Sequence, residues 1–438
     1  MDPSCAPPGD EIAFSHVSTP NTGVRHPSET SSYTDPVTGV EVRVLTSHPA
    51  GSPKPYQTHP TWTADGEWVL FRSERGGNGS QAFLVHEARG DIVQLTDDPG
   101  MDTGSLNLAR DSNRLFHMRT RDGRRELVEL QLDPLVENAL AGRPGLTTPP
   151  ERVVCVLPDD LRDSGGFAVD PDGSAAYWGV GWEQPAWAVG SERGVRTAVD
   201  SANTDPAEER EAARRRFAEA GRGPGGIRRI DLATGEITTV LDVDFRMGHV
   251  QVNPWVPGEI IYCHETTGDA PQRIWGVRAD GSNNRPLYRE TPDEWVTHET
   301  VSGPDELMFN VMAHLPYLAT KPSGVAVLDL RTDAVRLLGQ GPGQGFWHCN
   351  GSPDGRWAVA DDFAGDVTLI DRRSGEQTVL TTGHVMKPDH THPIFSPDSR
   401  RVLIQSGRLT EGRSLDLMVV EVPQALVERG PALPQPPR

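Results

Sequence analysis

Long apolar runs and surplus positive charge are both missing from this 438-residue chain, and each absence removes a class of function. No segment of about 20 residues is apolar enough to span a bilayer as a helix, which argues against a membrane partner; mean hydropathy is −0.49. Lys and Arg number 42 against 62 Asp and Glu, a formal net charge of −20. Nucleic-acid phosphates demand a basic footprint that this balance lacks. An acidic ligand would need positive charge gathered in one pocket against the global field. Only three lysines occur, Lys54, Lys321 and Lys387, so the placement of each is informative. Cysteine is scarce as well. Cys5, Cys155, Cys263 and Cys349 show no paired spacing, which argues against a disulfide framework. Residues 1–14 hold Pro, Asp, Gly and Glu where a secretory signal needs an apolar core, so a cytoplasmic location is the expectation.

What the chain does contain is a repeat. A small or polar residue, then Asp-Gly or Asp-Ser, then an apolar strand recurs at Asp65-Gly66, Asp111-Ser112, Asp172-Gly173, Asp354-Gly355 and Asp398-Ser399. Looser copies stand at Pro257-Gly258 and Pro304-Asp305. Asp and Gly tolerate the backbone angles of tight hairpin turns. Strands follow over 68–72, 175–178, 259–262, 357–360 and 401–405, and a third strand in each unit alternates apolar and polar residues. Such period-two patterning marks antiparallel sheet. Seven units of about 45 residues predict an all-β fold, a single seven-bladed β-propeller of four-stranded antiparallel blades. The unpaired strand over 40–46 is expected to complete the last blade and close the ring. Residues 1–28 read as a flexible N-terminal segment, 29–425 as the propeller and 426–438 as a disordered tail. An insertion over about 190–226 includes a charged stretch, 206–220, that reads as a solvated helix on the surface, with a lid over the cavity as the rival reading.

In a propeller the first strand of each blade lines the central channel. Five of the seven carry a histidine there: His59, His249, His298, His348 and His392. His390 lies two residues before His392 and so on the same strand face. The chain has only 14 histidines, and these should converge at one end of the channel. Converging imidazoles can bind a divalent metal, act as general bases, or pack the channel as hydrogen-bonded structural residues.

Several stretches are similar to the oligogalacturonate lyases, a family of propeller-type polysaccharide lyases. They are Gly248-His249, Cys263-His264-Glu265, Arg273-Ile274-Trp275, Asp280-Gly281-Ser282-Asn283, Thr297-His298-Glu299 and His390-Thr391-His392-Pro393. The resemblance implies cleavage of a uronic-acid oligosaccharide by β-elimination. It further implies His298 as general base, Arg273 beside it, and His348, His390 and His392 around a divalent metal, manganese in the family. Two departures stand out. Lys387 occupies the position of a family glutamine ligand, and an ammonium cannot ligate while protonated; Thr300-Val301 replaces two aromatic residues. Lys387, His249, His59, His264 and Tyr56 are the candidate substrate contacts. Residues 56–60 are closer to propeller lyases of ulvan or rhamnose–glucuronate linkages, so those glycans remain an alternative. A non-catalytic binding propeller is the rival of another class. A peptidase propeller is disfavoured, because the chain has no Gly-x-Ser-x-Gly elbow.

Overall fold

The recurring Asp turn is a small hydrogen-bonded device. Ser352 Oγ donates to Asp354 Oδ1 (2.6 Å), and the same oxygen accepts the Arg356 amide (3.0 Å). Ser396 and Asp398 repeat the arrangement, as do Thr63 and Asp65. Each turn thus satisfies its own backbone and launches the second strand of a blade. Gly66, Gly173 and Gly355 follow the Asp with φ of +74°, +66° and +73°, the left-handed region that glycine enters freely.

The computed structural model describes residues 20–182, 222–265, 272–290, 295–312, 324–343 and 345–428. Seven antiparallel sheets succeed one another along the chain. Blade four, for example, runs Met247–Val252, Glu259–His264, Ile274–Arg278 and Arg285–Pro286, paired in that order. Blade five begins at Trp295–Gly303, blade six at Phe346–Gly351 and blade seven at Ile394–Phe395. The core is divided into wedges between neighbouring blades. Phe116, Phe167 and Trp178 join blades two and three; Ile261, Phe309 and Leu328 join four and five. Trp357, Val359, Val402 and Ile404 join six and seven, and Leu45, Phe71 and Leu403 join seven to one. Each blade buries both faces, which is why strands such as Gln81–His86 and Trp357–Asp362 are buried along their whole length.

The ring closes as the sequence implied, with one addition. Glu41–Val44 pairs antiparallel with Asp416–Glu421 of blade seven, and Ser31–Thr34 adds a fifth strand outside it. Of the N-terminal segment expected to be flexible over 1–28, residues 1–19 lie outside the described residues, whereas Arg25 and His26 pair with Val93 and Ile92 at the outer edge of blade one. In compensation the innermost strand of that blade is reduced to a bridge between Trp62 and Val69. At the other end, Gln424–Glu428 forms a short helix that crosses the boundary expected between propeller and tail at residue 426. Most of the insertion expected over about 190–226, including the stretch 206–220 read as a helix, and residues 429–438 lie outside the described residues. The insertion ends earlier than expected, because Arg222–Asp231 is already a blade-three strand paired with Ile237–Phe245. Among the described residues no helix is long and apolar enough to cross a membrane.

Candidate active site at the channel mouth

Irregularity in the innermost strands is what aims the histidines. Pairing of Met247–Val252 with its neighbour slips between Gly248 and Gln251, and that of Trp295–Gly303 slips between Thr297 and Thr300. His249 and His298 sit in those slips with φ of +48° and +55°, and His392 precedes its strand with φ +44°. A bulge redirects one side chain out of the pleat. A non-glycine residue in the left-handed region costs on the order of 1–3 kcal/mol, strain that is concentrated here at the channel.

The result is a compact imidazole cluster. Ring centroids of His348 and His392 lie 3.9 Å apart, His298 and His348 4.2 Å, and His348 and His390 5.3 Å. Hydrogen bonds fix which nitrogens are bare. His298 Nδ1–H donates to the Trp347 carbonyl, so Nε2 carries a lone pair. His348 Nδ1–H donates to the Asp361 carboxylate (3.2 Å to either oxygen), again leaving Nε2 bare. His392 Nε2–H donates to Asp389 Oδ1 (3.2 Å), and its Nδ1 is buried without a partner. His390 Nδ1 is likewise buried and unpartnered. Burial holds the His298, His348 and His390 pKa values below the ordinary histidine value. Neighbouring imidazoles reinforce the effect at His298 and His348, and Arg273 adds to it at His298. Orphaned imidazole nitrogens backed by a buried carboxylate suit a divalent cation. Donor atoms of His348, Asp361 and His390 all lie within 4.8 Å of one another.

Beside this cluster stands a buried cation. Arg273 is 3% exposed; its Nε donates to Glu299 Oε2 (3.2 Å), and a terminal nitrogen lies 3.7 Å from Glu265. Glu265 also approaches His249 Nε2 at 3.3 Å. Burial works to raise the Glu265 carboxyl, but Arg273 and then His249 outweigh it and keep it ionised. Tyr56 fills the space between, its ring 5.2 Å from His249 and 5.3 Å from His392. Burial and the Glu299 charge push its hydroxyl well above the usual range, so Tyr56 stays a proton-bearing donor.

Other expected residues stand apart. His59 has both nitrogens engaged, Nε2–H on the Phe167 carbonyl (2.8 Å) and Nδ1 with Thr58 Oγ1 (3.0 Å); burial takes its pKa to about 4. It therefore packs the channel as a neutral histidine, although one edge still meets the cavity beside Tyr56. His264 lies on the second strand of blade four and stacks on Phe245, 4.3 Å between centroids. Lys387 is exposed, with its main chain against Gly407 and Gly412, so it is not a charge buried among the imidazoles. Sequence reasoning passed over Asp361, Asp389 and Lys54. Only lysine scarcity pointed toward Lys54, which is 3% exposed and lines a cavity with Tyr56, Asp389 and His392.

Comparison with known proteins follows the same lines. A family model described as oligogalacturonate lyase matches residues 223–371, a stretch holding His249, Arg273, His298 and His348. The chain resembles the oligogalacturonate lyases along most of its length. The oligogalacturonate lyase of Dickeya dadantii (strain 3937) is 24% identical over 402 residues, covering 85% of this chain and 92% of that one. The oligogalacturonide lyase of Pectobacterium atrosepticum is 23% identical over 410 residues, covering 88% and 94%. A solved oligogalacturonate lyase in complex with manganese shares the fold, with a TM-score of 0.73 at 22% identity over 93% of this chain and all of that one. The oligogalacturonate lyase of Vibrio parahaemolyticus gives 0.72 at 18% identity, over 92% and 99%.

Proposed function

We propose that the protein is a polysaccharide lyase that cleaves short uronic-acid oligosaccharides, oligogalacturonate first among them, by β-elimination. The observation that carries this reading is the pairing of one bare, neutral imidazole nitrogen, His298 Nε2, with the buried guanidinium of Arg273 at one side of the channel mouth. The relatives' names supply the class of substrate.

The C5 proton of a uronate is weakly acidic until its carboxylate charge is offset. Arg273, held rigid by Glu299 and Glu265, presents its remaining donors to that carboxylate and to the charge that develops on it. His298 Nε2 removes the C5 proton, and Trp347 keeps the base in the required tautomer throughout. The electron pair of the C5–H bond becomes the C4–C5 double bond, the C4–O bond breaks, and the departing oxygen takes up a proton. His348, His390 and His392 would hold a divalent ion, manganese as in the solved relative, and when bound it would add a second positive charge at the carboxylate.

The test is ultraviolet absorbance from the new conjugated double bond on mixing the protein with galacturonate, ulvan and rhamnose–glucuronate oligosaccharides, with manganese and with chelator. Absorbance should rise for at least one substrate and be lost in His298→Ala. Silence across the panel, with manganese present, refutes the lyase reading in favour of a binding propeller.

A further inference from the structure

The innermost strands have two ends, and only one end feeds the histidine cluster. His249 lies near the start of Met247–Val252, and Val252 closes that strand. His298 and Val301 on blade five, and His348 and Gly351 on blade six, stand in the same relation. At ~3.3 Å per strand residue, the far ends lie about 10 Å along the channel from the imidazoles. A second cavity, of about 300 Å³, opens there, walled by Val252, Val301, Gly351 and the turns that follow the innermost strands. His59 lines both this cavity and the smaller one beside Tyr56, so it stands between the two mouths. Thr300 and Val301 also border the second cavity, where aromatic side chains would fill much of the space.

This mouth presents hydrogen-bond donors that nothing answers. Arg110, in the turn of blade two, is half-buried, and its guanidinium has no hydrogen bond or ion pair among the described residues. Burial alone takes its pKa down to about 10, with no carboxylate pulling the other way. The acids nearest in the turns are occupied: Asp111 by Ser112 and Arg114, Asp65 by Thr63 and Asn113. Asn350, on blade six, accepts the Phe395 amide at Oδ1 (3.1 Å), and its Nδ2 has no acceptor among the described residues. Trp255, in the turn of blade four, is 40% exposed, and its indole N–H is equally without a partner among them. No Asp, Glu or Lys among the described residues lines the cavity, and much of the remaining wall is apolar, with Pro254, Pro353 and Pro397 beside Val301. A partly desolvated cation against apolar surface is costly without an anion. A chain of net charge −20 has no general reason to place one here.

We propose that this second mouth is a binding site for a small organic monocarboxylate with a flat apolar body. Arg110 supplies the charge and the forked donors that match a carboxylate, with Asn350 as a further donor. Trp255 and the proline walls take the body of the ligand. At ~30 Å³ per water the cavity has the volume of about ten waters, enough for a single ring with its acid group. An amino acid fits less well, because its ammonium would find no carboxylate on the wall. The site is separate from the lyase reading: β-elimination at His298 uses neither Arg110 nor Trp255.

The test is calorimetry on the full chain with benzoate, with benzamide as its uncharged isostere, and with acetate, which lacks the ring. Benzoate should bind at least roughly tenfold tighter than either, the scale of a charge-assisted hydrogen bond in one case and of ring burial in the other. Arg110→Met should abolish the preference over benzamide. Arg110 has no partner to lose, so folding is not at stake, and circular dichroism verifies it. Trp255→Ala, in an exposed turn, is the second variant and should weaken benzoate by at least about threefold. A preference that survives in Arg110→Met places the anion elsewhere, as at Arg273, and overturns the site. Equal binding of benzoate and benzamide overturns it too, as do failure of all three compounds to bind and an unchanged affinity in Trp255→Ala. Acetate as tight as benzoate marks an adventitious ion only, and overturns the apolar-bodied class.

Discussion

Asp361→Asn is the sharpest single perturbation of the site, because it changes one atom and inverts the role of another. The Asp361 carboxylate accepts the His348 amide (2.7 Å), the His348 ring, Thr391 Oγ1 (2.7 Å) and the His392 amide (3.3 Å). As asparagine it keeps one acceptor, which the His348 amide retains, and gains an NH2 facing His348 Nδ1. Two donors then oppose each other, so the imidazole proton moves to Nε2, the nitrogen that faces the other histidines. That nitrogen can no longer donate a lone pair without losing its proton. Loss of such a partner behind a ligand typically costs 10–100-fold in metal affinity, or about 1.4–2.7 kcal/mol. Apo stability should fall by a further ~1–3 kcal/mol from the weakened hydrogen bonds. Manganese titration by calorimetry reads the first quantity, and denaturant melts with chelator read the second. Asp361→Asn protein that binds manganese as tightly as wild type would refute the assignment of His348 as a ligand oriented through Asp361.

Three further outcomes are expected. Glu299→Gln leaves Arg273 buried with its close partner neutralised; loss of a buried pair costs about 3–5 kcal/mol, read as a shift in denaturant midpoint. His117 and His384 are buried with pKa values depressed by burial to about 4. Since the unfolded chain takes up these protons first, stability present above pH 6.5 is lost as pH falls toward 4, by about 2 kcal/mol per histidine at pH 5, and thermal melts at pH 7 and 5 should show it. Gly235→Ala puts a Cβ 2.3 Å from the Val154 carbonyl at φ +76°, whereas Gly39→Ala at φ +73° meets nothing within 4 Å. Both pay the left-handed penalty of ~1–2 kcal/mol, so a Gly235 variant no less stable than the Gly39 one refutes the inter-blade contact.

The sequence revealed most about what repeats. Asp turns such as Asp65-Gly66 and Asp354-Gly355, and histidines at one repeat position, are local signals that the architecture repeats in five of its seven blades each. The convergence of His298, His348, His390 and His392 follows from that counting together with the right ring closure. What stayed hidden depends on single conformations. Arg25–His26 is too short a strand to have a period, so its place on blade one comes from tertiary pairing alone. Nothing in the spacing of His249 or His298 announces a left-handed φ. Asp361 and Asp389 looked like ordinary strand-end and loop acids because their role is to hold another residue's proton. Lys387 misled in the other direction: a position three residues before His390 does not face the imidazoles once the chain turns at Pro388.

Ring closure also sets a timetable for synthesis. Thr46 and Leu417, bonded across the closing seam, are separated by 371 residues. At ~5–20 residues per second a ribosome needs about 20–75 s to make the second after the first. For that interval the strand Glu41–Val44, with Val42 and Val44 destined for full burial, has no inner neighbour. Six blades can stack as they emerge, but the two flanking faces of the gap stay open until blade seven arrives. A nascent chain of this protein therefore carries an exposed apolar seam for nearly its whole time on the ribosome, and truncation anywhere before residue 416 leaves that seam permanently unsealed.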